Sequence, residues 1–260
     1  DLVRVTPAGD RNFPERFEPL LPVPEGFETL WPGGLGRFIP NATLRPSQVT
    51  AAQIVAAEWA TQFGVEPDGV IAVDGGALRL LLGAVEPFTL STGDVVDGTT
   101  VVPLLLNEVY RRYSTGDAEA DDAAQSAVYA EAVGQTFARI VGGQFDPVAL
   151  FSAAGTAAAE RRMSVWLRDE AEAGVVAGTA FAATGVLPST EAQDVVGVYL
   201  NDSVGTKLNY YLESSVQVGS AACMPDGRVV RRIMLRATNL VAPEDVPGLT
   251  ALDEGVELAK

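Results

Sequence analysis

Histidine is missing altogether from the 260 residues, and with it go the usual general base at neutral pH, the Ser-His and Cys-His nucleophile systems, and most zinc and copper sites. Any catalysis would rest on carboxylates, arginine, tyrosine or a hard metal held by carboxylates. Cysteine occurs once, at Cys223. It has no partner for an internal disulfide and reads as a small packed hydrophobe rather than a nucleophile. No apolar run approaches the ~18 residues that a spanning helix needs, so no membrane span is expected here. No phosphate fingerprint is present either: Gly75-Gly76 lacks both the dinucleotide spacing and a following Lys-Ser/Thr.

What the chain does have is 47% apolar and 20% charged residues, enough for one sizeable core or one large domain with part of a second. The formal net charge of −16 opposes phosphate backbones and anionic membranes at long range, so nucleic acid is not expected as a partner. Most of that acidity reads as a solvated surface.

The run Asp68-Gly-Val-Ile-Ala-Val-Asp74 stands out. Val70 to Val73 form an uninterrupted apolar stretch, the pattern of a central strand buried on both faces. Asp74 then stands where a strand leaves a sheet, placed to cap a helix that begins at Gly75 and carries Leu78, Leu81 and Leu82 back onto that sheet. Ligands of α/β sheets collect beyond the carboxyl ends of strands, which makes Asp74, with Asp68, the least implausible catalytic acid. The plainer reading of Asp74 is an N-cap.

Around this stretch the chain divides. Residues 1–46 are rich in proline and glycine, yet Phe13, Phe17, Leu20, Leu21, Phe27, Leu30, Trp31 and Phe38 are too apolar for a free linker and predict a wrap across the body. Ser47 caps a predicted helix to Phe63, closed by Gly64, with Ala51, Val55, Trp59 and Phe63 on its buried stripe and Ile54 and Ala52 broadening it. Phe88 to Leu90 predict a short strand. Thr99 or Thr100 opens a helix through Tyr113, with Pro103 tolerated in its first turn. The acids from Asp117 to Asp122 lack the ligand alternation of a calcium loop and fit the start of a helix, favoured by its dipole. That helix runs from Asp121 to Val141, with Tyr129, Val133, Phe137 and Val141 facing inward. Asp146-Pro147 opens an alanine-rich helix, Met163 to Leu167 alternate as a strand, and Asp169 caps a short helix. From Thr184 the composition turns to β: Val195–Leu200, Leu208–Val218 and Arg228–Thr238 read as strands, with turns at Asn201-Asp202, Gly205 and Asp226-Gly227.

Several blocks in order resemble the DUF4012 family of actinobacterial envelope proteins. They are Asn41-Ala-Thr-Leu-Arg-Pro-Ser, the helix with Trp59, Asp68 to Asp74 with the leucines after it, Leu106-Asn-Glu-Val-Tyr110, and Val198-Tyr-Leu-Asn-Asp202 through Lys207 to Tyr210-Tyr211-Leu212. The resemblance implies a middle piece of a longer, membrane-anchored protein exposed outside the cytoplasm, consistent with an opening at Asp1 rather than Met. It carries no established activity. Abundant Ala, Val, Gly, Asp and Arg against only two lysines fits the coding composition of a GC-rich bacterium. The order of Asn41 in a loop, a helix over Val49 to Phe63, a Gly-to-strand segment over Gly64 to Val73 and a helix over Ala77 to Val85 is also similar to the LytR-CpsA-Psr phosphotransferases, which attach polyprenyl-pyrophosphate-linked glycans to the cell wall. Those enzymes clamp pyrophosphate with several arginines and a magnesium-bound aspartate. Their Arg-Gln-x-Arg helix would fall near Ala123–Tyr129, which contains no arginine.

These readings predict an α/β protein: a mixed sheet flanked by helices, as in the LytR-CpsA-Psr enzymes, over residues 1–190, then a β-rich segment over 191–260. The leading function is a non-catalytic, extracellular module that binds or organises cell-wall glycan or polyprenyl-linked glycan, with Asn41 and Arg45 as binding candidates. No metal or cofactor is expected, magnesium entering only if the chain is a glycan phosphotransferase. A carboxylate-based phosphotransferase or hydrolase using Asp74 and Asp68, and a structural surface-assembly protein, are the alternatives.

Overall fold

A proline-interrupted strap and the helix beneath it begin the architecture seen in the computed structural model, which describes residues 6, 8–9, 12–30, 34–185, 189–190, 193–201 and 208–242. The predicted turn at Gly205 and nearly all of the tail lie outside these residues. In the strap, α1 spans Phe27–Leu30 and a 3-10 turn spans Ile39–Thr43. Within it Phe13 is buried against the rings of Trp59 and Phe63, and Leu35, Ala42 and Ile54 form a small core with Leu21, Val23 and Phe27, while Phe17 is exposed and Trp31 lies outside the described residues. Helix α2 runs Gln48–Phe63, with the Ser47 side chain accepting from the Thr50 N–H and Gly64 at φ 68°. Its most buried residues are Ala52 and Ile54, which lie on the expected face, and Ala56 and Glu58, which do not, so the dry stripe is centred to one side of the predicted one. The reason is that α2 is covered by the strap as well as by the strands beneath it.

Glu58 is a carboxylate only 1% exposed. Its Oε2 accepts from Arg16 of the strap, whose Nε and Nη2 both lie 2.8 Å away. A buried charge is tolerated only when paired, so this bond fixes where the strap crosses α2.

Strand β1, Gly69–Val73, and helix α3, Gly75–Leu82, form as predicted. Pairs of short strands follow: β2 (Phe88–Thr89) with β3 (Val95–Val96) in a hairpin, and β4 (Met163–Leu167) antiparallel to β1 with Ile71 opposite Val165. The chain between them is helical. It comprises α4 (Val101–Pro103), a π turn (Leu104–Glu108), α5 (Val109–Arg112), α6 (Ala118–Val141) and α7 (Pro147–Ala159), and β4 is followed by α8 (Glu170–Val176). The acids expected at the start of α6 are there, Glu119 and Asp121 in its first turn, but the helix begins three residues earlier than predicted, with Asp117 as its N-cap. A 3-10 turn at Leu208–Tyr211 then leads into the long hairpin β5 (Leu212–Cys223) and β6 (Val229–Asn239).

The class is thus mixed α and β with a β-rich C-terminal part, but three details differ from expectation. Among the described residues each sheet has two antiparallel strands, and the parallel component shrinks to one bridge, Val165 to Ala182. β1 is not a dry central strand, since Ile71 is 64% and Val73 47% exposed. It has β4 on one edge and no described strand on the other, so a β-branched run alone does not bury itself. Residues 195–200 form no strand.

The main core lies elsewhere. Leu82, Val85, Phe88, Leu90 and Val96 meet Val101, Leu104, Leu105 and Val109 from the helical stretch and Val128 and Ala132 from α6. The inward phase of α6 is one residue off the predicted stripe: Val133 and Val141 are exposed, while Tyr129 packs at the core's edge. Small alanines let the helix approach on a face that large apolar residues alone do not mark.

Candidate functional site

The carboxyl end of β1 is tied down by its own backbone chemistry. Asp74 Oδ1 accepts the Ala77 N–H at 2.8 Å, capping α3, and Oδ2 accepts from Arg162 Nη1 at 2.9 Å. The Arg162 Nε donates in turn to Glu160 at 3.1 Å. A Cβ on Gly76 would stand 2.6 Å from Arg162 Nη1, so the guanidinium lies directly over this glycine as it reaches the aspartate. Both oxygens of Asp74 are thereby engaged. Asp68 sits at the opposite end of the strand, and six residues of extended chain span ~20 Å. The two cannot work as a carboxylate pair ~5 Å apart, which is what a retaining glycosidase needs.

Asn41, inside the 3-10 turn at Ile39–Thr43, and Arg45, just after it, are both half-buried. The structure does not bring them into contact with Asp74 or Asp68 through any described hydrogen bond or ion pair. Their loop meets a later block of the chain: the Asn201 side-chain amide donates to the Leu44 carbonyl at 3.2 Å.

More chemistry gathers at the π turn. Pro103 removes one N–H from the first turn, and the Val109 N–H then reaches back five residues to the Leu104 carbonyl. The Leu105 carbonyl takes the Tyr129 hydroxyl instead, whose oxygen lies 3.0 Å from that of Tyr110. Burial pushes the Tyr129 phenol above its ordinary range, helped by Tyr110, so it stays protonated as a donor. The widened turn presents Leu106, Asn107 and Glu108. Asn107 Oδ1 accepts the Tyr211 hydroxyl at 2.7 Å, and the Tyr210 ring stands edge-to-face on Tyr211 with centroids 5.0 Å apart. Partial burial raises the Tyr210 phenol too, with Tyr211 and then Glu108 adding to it.

These two places form one surface, because Leu106 Cδ1 lies 3.1 Å from where a Cβ on Gly75 would be. Beside the π turn an open hollow of about 280 Å³ is lined by Asp94, Thr99, Thr100 and Glu108, among others. Among the described residues no group of three His, Cys, Asp or Glu side chains is placed to hold a metal ion. No helix there is long and apolar enough to cross a membrane.

Sequence reasoning missed Arg162 and Glu160 as neighbours of Asp74, and it gave Asn107, Tyr210 and Tyr211 no role. The usable signal was that Leu106–Tyr110 and Tyr210–Leu212 stood out together as blocks. What joins them is a contact across 104 residues that periodicity does not encode.

Fold and surface together define an α/β protein with a β-rich C-terminal part and an aromatic, amide and carboxylate patch built on a π turn. Residues 3–110 match the family model described as "Protein of unknown function (DUF4012)". That match covers less than half of the chain, and over those residues the chain is similar to DUF4012. No curated protein and no solved structure matches the chain.

Proposed function

We propose that this chain is a non-catalytic, extracytoplasmic module that binds or organises cell-wall glycan, the surface around the π turn being where the sugar lies. The observation that carries this reading is the exposed set of Tyr210, Glu108 and Leu106 around Asn107, held by Tyr211. A flat phenol suits the apolar face of a sugar ring, while an amide and a carboxylate accept and donate to its hydroxyls. The commitment of both Asp74 oxygens argues against a free catalytic acid there.

Titration of the intact protein with cell-wall oligosaccharides and prenyl-pyrophosphate analogues, with and without magnesium, tests it. Saturable binding weakened at least tenfold by Tyr210→Ala is expected, with Asp74→Asn leaving affinity unchanged. No binding to any of these ligands contradicts the reading. One observation favours a second reading, a carboxylate-using glycan phosphotransferase or hydrolase: Arg162 and Glu160 converge at Asp74. Turnover of a prenyl-linked glycan that Asp74→Asn abolishes would select it.

A further inference from the structure

The hollow beside the π turn is walled by side chains that accept hydrogen bonds and have no proton left to give. The Thr99 hydroxyl already donates to Asp97 Oδ1 at 2.7 Å, and the Thr100 hydroxyl to the Val95 carbonyl at 2.7 Å. A hydroxyl has a single proton, so both are spent. Val95, Pro103 and Leu104 complete the wall with apolar side chains, and no lysine or arginine is among the described residues that line it.

The two carboxylates in this wall are not equivalent. Arg112 offsets Asp94 through paired bonds of 2.6 and 2.9 Å, and the Thr92 hydroxyl donates to it as well. Glu108 is exposed and, among the described residues, has neither an ion pair nor a hydrogen bond. It also stands where the hollow meets the aromatic surface. Its neighbour Asn107 accepts the Tyr211 hydroxyl, and Tyr210 comes just before Tyr211 in the chain. Glu108 is near enough to Tyr210 to contribute to the upward shift of that phenol.

We propose that the sugar held at the π turn is an amino sugar with a free, protonated amine, its ammonium lying in the hollow against Glu108 and its ring on Tyr210. The inference rests on the glycan reading and names the class of sugar. An ammonium brings three donors and no acceptor, which matches a wall of acceptors, and Glu108 answers its charge. The N-acetylated form of the same sugar is neutral, and its carbonyl oxygen finds no side-chain donor in the wall, so that acceptor goes unmatched. At about 280 Å³ the hollow stands at the lower end of small-ligand sites, room for one sugar unit rather than a length of glycan.

Calorimetric titration of the intact chain with tetramers of glucosamine and of N-acetylglucosamine, at about pH 6 where amines are protonated, tests it. The glucosamine tetramer is expected to bind at least tenfold tighter, and Glu108→Gln to erase that preference. Glu170→Gln on α8 makes the same change of charge in another element and is expected to keep it, which separates the hollow from general attraction between a cationic oligomer and an acidic chain. Equal affinity for the two tetramers would overturn the inference, as would a preference that Glu108→Gln keeps or that both variants lose; in each case sugar still binds and the glycan reading stands. Binding of other cell-wall oligosaccharides but of neither tetramer would also overturn this inference alone, whereas no binding to any glycan would overturn both.

Discussion

The β1–β4 ribbon and the cluster around the π turn differ in a way that composition does not announce. The ribbon carries the purest β-branched run in the chain, yet Ile71 is 64% exposed. The π-turn cluster is interrupted by a proline and includes Asn and Glu, yet Leu104 and Val109 are almost fully buried. Burial follows whether packed elements enclose a residue, not how apolar its neighbours in sequence are. α2 contacts the ribbon, with lighter contact from α3, α7 and α8, and still leaves Ile71 and Val73 exposed, whereas α3, the β2–β3 hairpin and α6 close over the π-turn stretch.

The contrast between buried and exposed is sharpest for ion pairs, where the largest effect is expected. Arg16→Ala leaves the Glu58 carboxylate buried and unpaired and is expected to cost about 3–5 kcal/mol in denaturant unfolding. Arg162→Ala breaks a pair whose side chains are 46% and 51% exposed and is expected to cost under ~1 kcal/mol. Equal losses would break the comparison. Next come the apolar residues: Leu104→Ala is expected to cost about 2–5 kcal/mol from the cavity it opens, against under ~1 kcal/mol for Ile71→Ala. Parity between those two would make the ribbon a core after all. Smaller still is Tyr129→Phe, which deprives the Leu105 carbonyl of its donor and is expected to lower stability by about 1–3 kcal/mol. An unchanged midpoint would mean that the π turn needs no outside donor.

The least effect is in the acid limb. Arg112 grips Asp94 through two hydrogen bonds of 2.6 and 2.9 Å and holds its carboxyl below the ordinary carboxylate value. Bonds from Thr99, then Thr100, do the same for Asp97. A carboxyl whose pKa is lower folded than unfolded adds stability above the unfolded value, and that stability drains away as pH falls through the folded one. Stability is therefore expected to be flat near neutrality and to fall below about pH 4. Arg112→Gln is expected to make that fall shallower, as followed by urea unfolding at stepped pH.

Much of the local structure was legible because short-range chemistry decides it. Ser47, Asp74, Asp146 and Asp169 each cap the helix they were expected to cap, and Gly64 closes α2 in the left-handed conformation. Which face of each helix is dry was less legible, since α2 has neighbours on several sides and α6 approaches through alanine. The site was least legible of all. Asp74 was picked out correctly as a cap, but its partner Arg162 lies 88 residues away, and the Asn107–Tyr211 bond joins the helical body to the base of the hairpin. Contacts of that kind are written in the packing of whole elements and leave no spacing to read.

Native-state hydrogen exchange tests most directly whether the molecule is centred on the π-turn cluster. The bonds from Arg168 N–H to Asp68 and from Asp74 N–H to Arg162 set the β1 register so that Gly69, Ile71 and Val73 turn their backbone groups to the edge away from β4. The account predicts that the amides of Ile71 and Val73 exchange by local opening at least ~100-fold faster than that of Val109, whose exchange should follow global unfolding. Protection of Ile71 and Val73 equal to that of Val109 would contradict it.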